Sequence, residues 1–107
     1  MRIELKKFGT TLTSRQMGSE AFKAFQAAFQ SLKPDEILEI DFADVLTFSP
    51  SWGDEFLSPL LDQLGDRLVL LANDNLSVQA TLKLLQEIKN NSFIIRPGKE
   101  IKKQETI

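Results

Sequence analysis

The sequence predicts an α/β fold of order β(β)αβαβαβ, a mainly parallel sheet of four to five strands with helices packed on it. Three observations predict it. Two short, nearly all-apolar runs, EILEIDF at 36–42 and RLVLLA at 67–72, read as strands buried on both faces. Three longer stretches space their apolar residues by threes and fours, as amphipathic helices do. Strand-like and helix-like runs alternate along the chain, the pattern of parallel strands joined by helical crossovers.

Residues 2–8 alternate Ile3, Leu5 and Phe8 with Arg2, Glu4 and Lys6, which predicts a half-buried strand. Residues 10–12 offer a second short strand. Thr13 or Ser14 then caps a helix, and Thr13 with Gln16 has capping-box spacing. Met17, Phe22, Phe25, Ala28, Phe29 and Leu32 form its inner stripe, and Lys33-Pro34 ends it. Gly18, a poor helix former, is placed to let another segment approach closely.

EILEIDF reads as a central strand, with Asp41 and Asp44 at or just past its carboxyl end. The second helix spans Trp52 to Leu64 and turns Phe56, Leu57, Leu60, Leu61 and Leu64 inward. Pro59 predicts a kink or a break in it, and Gly65 suits its end. RLVLLA is the second buried strand, and Asn73-Asp74-Asn75 is a turn. The third helix spans Leu76 to Ile88, capped by Asn75 or Ser77, with Val78, Leu82, Leu85 and Ile88 buried. Phe93-Ile94-Ile95 is the last strand, closed by Pro97-Gly98. Residues 1–98 are thus expected to form one domain, and 99–107 a charged tail, frayed or weakly helical.

Composition narrows the chemistry. The 107 residues suffice for one domain and include no histidine, cysteine or tyrosine. Serine–histidine and cysteine–histidine catalysis are therefore excluded within the chain. The phosphate-binding runs GxxxxGK and GxGxxG and the nucleophile elbow GxSxG are absent. The expectation is a binding domain, not an enzyme, without a cofactor. A net charge of −2 with no basic stripe argues against nucleic acid as a partner. No apolar run reaches the roughly 18 residues of a membrane span. The absence of cysteine fits a cytoplasmic location.

The candidate site is the turn Phe48-Ser49-Pro50-Ser51-Trp52-Gly53, a polar break between an apolar strand and a helix. Ser51 reads as the N-cap of the second helix, with Asp54 three residues on. A phosphate there would meet free backbone N–H groups and the positive end of the helix dipole. Capping alone also accounts for a serine at that place. Trp52 either folds into the core or is displayed to a partner, as tryptophans at interfaces are. Ser49, Pro50, Ser51, Trp52, Asp54 and Glu55 are the candidate partner-binding residues. Asp41, Asp44, Asp54 and Glu55 could converge on a cation, but helix-end and turn roles account for them, and no metal is expected. Ser14, Arg15, Asn73 and Asp74 are candidate ligand or anion contacts in a crevice at the strand carboxyl ends.

The element order, EILEIDF and VLTFSPSWGDEF resemble the STAS domain family over roughly residues 3–95. The bacterial STAS-like domains of unknown function are more similar still. Ser14-Arg15, Asp41-Phe42, Ser49-Pro50-Ser51-Trp52 and Gly53-Asp54-Glu55 carry that resemblance. It implies a regulatory domain related to anti-sigma-factor antagonists, whose partner is an anti-sigma kinase with a histidine-kinase-type ATPase fold. It also implies that Ser51 corresponds to the serine which that kinase phosphorylates. Pro50 stands where the antagonists have an aspartate, and Trp52 where they have a second hydroxyl residue. The alternative expectation is a small-ligand or nucleotide-binding domain that uses the crevice.

Overall fold

Strands β1 (Arg2–Glu4), β3 (Leu38–Asp41), β5 (Leu68–Ala72) and β6 (Ile94–Pro97) form one sheet in that order in the computed structural model, which describes residues 1–98. Every pairing in it is parallel, with Ile3 beside Ile40, Ile40 beside Leu70 and Leu70 beside Ile95. Strands β2 (Thr11–Leu12) and β4 (Thr47–Phe48) make a separate two-stranded parallel ladder. The helices are α1 (Arg15–Phe29), α2 (Pro50–Leu64) and α3 (Leu76–Ile88). The α/β class and the parallel sheet are as expected. The tail, 99–107, lies outside the described residues.

The pleat decides which face is covered. Ile3, Leu38, Ile40, Leu68 and Leu70 point one way and join Phe25, Phe29, Trp52, Phe56, Leu57, Leu60, Val78, Leu82 and Leu85 in one buried cluster. All three helices therefore pack on that face. The other face carries Arg2, Glu4, Glu39 and Asp41, with Arg2 3.3 Å from Glu39 and 3.8 Å from Asp41. EILEIDF is an interior strand, but among the described residues helices cover only one side of it. Its acids at alternate positions, Glu39 and Asp41, mark the side away from the helices, and Ile37, in the run but ahead of the strand, is exposed. Only β5 is apolar and buried at both parities, from Leu68 to Leu71.

Several ends differ from expectation for local reasons. The first strand stops at Glu4 because Leu5–Phe8 forms a 3-10 turn. That turn drops Leu5 into the core and sets Phe8 5.4 Å from the Phe56 ring. Ser14, not Thr13, caps α1, its Oγ accepting from the Met17 N–H at 2.9 Å. Helix α1 ends at Phe29, before Lys33-Pro34, because Ser31 and Leu32 bond in 3-10 fashion to the Ala28 and Phe29 carbonyls. Its buried stripe is Gly18, Ala21, Phe25 and Phe29, so Met17 and Ala28 face out. Helix α2 runs unbroken through Pro59. Asn75, not Ser77, caps α3, and Thr81 takes the inward place expected of Ile88, which is exposed.

Candidate functional site: the turn from β4 into α2

The turn is anchored from below before it presents anything to solvent. Phe48 is buried, and its backbone N–H donates to Ser77 Oγ at 2.9 Å. Its carbonyl accepts from Ser77 Oγ and Thr81 Oγ1, so α3 clamps the end of β4. On the other flank the Ser49 N–H donates to the Leu12 carbonyl. Ser49 Oγ accepts from the Trp52 N–H at 3.3 Å and donates to the Thr13 carbonyl at 2.7 Å. Ser49 is therefore the N-cap of α2, and Pro50 is its first residue, where a missing N–H costs nothing. Ser51 does not cap; it sits inside the first turn.

That shift of two residues changes what each candidate does. Trp52 is 1% exposed and is packed among Phe8, Phe48 and Phe56 at centroid distances of 6.2, 6.0 and 4.9 Å. The indole belongs to the core and not to a displayed surface. Its backbone lies against α1, where a Cβ on Gly18 would stand 2.6 Å from the Trp52 carbonyl oxygen. Gly53 fits against Phe48 and Leu85, either of which would be 2.9 Å from an added Cβ. Pro50 and Ser51 remain half-exposed. The Ser51 hydroxyl makes no hydrogen bond to any described residue. Replacing Ser49 by alanine removes the cap and the tie to Thr13, and we expect a loss of about 1–2 kcal/mol. Chemical denaturation measures it, and an unchanged midpoint would contradict the cap.

Arg15 joins this turn instead of the crevice. Its Nη1 donates to Asp54 Oδ2 at 3.3 Å and to Glu55 Oε2 at 2.7 Å, tying the start of α1 to α2. Ser58 Oγ donates to the other Asp54 oxygen at 2.7 Å. The Ser58 bond first, and Arg15 next, hold the Asp54 carboxyl below its usual pKa against an opposing effect of burial. A depressed carboxylate stabilises the fold above its unfolded pKa of about 3.9 and loses that contribution as pH falls through the folded value. Ser58→Ala should therefore lower Tm at neutral pH and lower it less in acid. Melting curves from pH 2 to 7 check this, and a pH-independent difference would contradict it.

The remaining candidates lie elsewhere. Asn73 spends its side chain on the β5–α3 turn, donating to the Phe42 carbonyl at 3.0 Å and accepting from the Asn75 N–H at 3.1 Å. Asn73 and Asp74 line a cleft of about 190 Å³ with Asp41, Ala43, Asp44, Leu71, Ala72 and Gly98. Ligand pockets usually enclose roughly 300–1,000 Å³. Neither Ser14 nor Arg15 lines this cleft, so the four expected ligand contacts do not form one site. Asp54 and Glu55 are likewise apart from Asp41 and Asp44; Lys6 Nζ lies 3.0 Å from Asp44. Among the described residues no three carboxylates are grouped to hold a metal ion, and no helix is long and apolar enough to cross a membrane.

Sequence reading missed the exposed apolar residues around the turn. Met17 is 55% exposed, one residue before the glycine that touches Trp52. Leu46 and Leu76 are 65% and 79% exposed and are joined by Asn75, whose Nδ2 donates to the Leu46 carbonyl. The signal for Met17 was Gly18, because a helix that seats a glycine on its neighbour turns the preceding side chain outward. Comparison of the chain with protein-family models, curated proteins and solved structures gave no match.

Proposed function

We propose that this chain is a regulatory protein-binding domain of the STAS-like kind, which contacts its partner through Pro50, Ser51 and the exposed groups beside them. The resemblance of its motifs to anti-sigma-factor antagonists suggests the partner class, a kinase with a histidine-kinase-type ATPase fold. The observation that carries the reading is the half-exposed hydroxyl of Ser51, without a hydrogen bond to any described residue, on a turn anchored from both flanks. Every neighbouring group has a structural task. Phe48 and Trp52 fill the core, Ser49 caps, and Asp54 and Glu55 hold Arg15. Ser51 is the residue left over for recognition. The contact surface no longer includes Trp52.

Phosphorylation of Ser51 would gate such a contact. It adds about −1.5 to −2 charges at pH 7, at a helix end that favours anions. Ser51 and Glu55 are four residues apart and share a helix face. A phosphate would therefore compete with Glu55 for Arg15 and loosen the tie between α1 and α2. The test is affinity capture from the native cell with Ser51→Ala and Ser51→Asp baits. Distinct partner yields support the gate, and identical partner sets and affinities sink it.

A further inference from the structure

We propose that the chain pairs with a second copy of itself through the outer ridge of α3. Leu76, Ala80, Leu84 and Ile88 recur every four residues along this helix and form one ridge. Leu76, Leu84 and Ile88 are 79%, 41% and 57% exposed, and Ala80 is exposed as well. The helix already buries Val78, Thr81, Leu82 and Leu85 on its inner side, so the ridge is a second apolar face. Single exposed apolar residues need no explanation, but a continuous row does.

The stretch from Ala80 to Ile88 is complementary to itself when two copies run antiparallel. With a two-fold axis at Leu84, each Ala80 faces the partner's Ile88, so a small residue meets a large one twice. Ridges of residues four apart interdigitate in the commonest class of helix packing, and a two-fold contact uses the same patch on both copies. The charges agree with this register. Lys83 and Glu87 flank the ridge and are exposed. Lys83 then stands about 3 Å along the axis from the partner's Glu87, at ~1.5 Å of rise per residue. In a parallel pair the flanks that carry Lys83 and Glu87 would lie on opposite sides of the contact, and neither charge would meet its opposite. The proposal is independent of the role of Ser51.

Sedimentation velocity of the full chain over a concentration series tests it. The native chain should show a reversible dimer. Leu84→Glu should weaken it roughly tenfold or more. Lys83→Glu should weaken it less, and Lys83→Glu with Glu87→Lys should restore it. These residues are exposed, and circular dichroism verifies that each variant is folded. A native chain that stays monomeric throughout overturns the proposal, as does a dimer indifferent to Leu84→Glu. A charge-swapped double variant no tighter than Lys83→Glu alone overturns the antiparallel register.

Discussion

Truncating Trp52 to alanine should cost about 3–5 kcal/mol, the range for losing a large aromatic from a packed core. A domain is typically stable by only about 5–15 kcal/mol, so the variant should be close to unfolding at ambient temperature. The reason is position. The indole contacts rings from the β1–β2 connection, β4 and α2 at once, and it is 1% exposed. Trp52→Phe keeps the aromatic contact and should be much milder. Trp52 is the chain's one tryptophan, so its fluorescence reports on this site directly. Emission should be blue-shifted and resistant to iodide quenching in the native chain. A solvent-like spectrum, or a Trp52→Ala variant of native stability, would return the indole to the surface.

The second large effect is expected from the smallest change. Gly18→Ala adds one methyl group where the nearest atoms are backbone, the Trp52 carbonyl oxygen at 2.6 Å and its Cα at 3.0 Å. Backbone cannot rotate aside as a flexible side chain can, so the helices must separate or α1 must shift. Overpacking of this kind costs about 1–3 kcal/mol, although alanine is the better helix former by about 1 kcal/mol. The two effects oppose each other, and the contact distance decides in favour of loss. Each kcal/mol should lower Tm by roughly 4–8 °C in a domain of this size. A raised Tm would mean that α1 and α2 are not held this closely.

These two residues also show how far the sequence could be read. The parallel sheet was legible because its strand signals are short apolar runs and its helix signals are periodic. The Ser49 cap was not, because two serines flank Pro50 and both suit a cap. Tertiary bonds decide between them, since only Ser49 reaches the Thr13 carbonyl just ahead of α1. The phase of α1 was misread at Met17 because an apolar count passes over a glycine, yet Gly18 is the residue in contact. Arg15 was read as a crevice residue from its chemistry alone. Its actual partners, Asp54 and Glu55, are 39 and 40 residues away in sequence and carry no local signal. The face of EILEIDF that turns away from the helices was visible in Glu39 and Asp41, but the apolar content of the run outweighed them.

The central claim is that the first turn of α2 recognises a protein through Pro50 and Ser51, with the tryptophan serving only as its support. The most direct measurement is the affinity of the captured partner for three folded variants. Pro50→Glu and Ser51→Asp place an acid where a helix start tolerates it, and Lys23→Glu changes an exposed site on α1. Titration calorimetry should show both turn variants weakened by roughly tenfold or more, with Lys23→Glu unchanged. Equal affinity for all three variants and the native chain would contradict the claim.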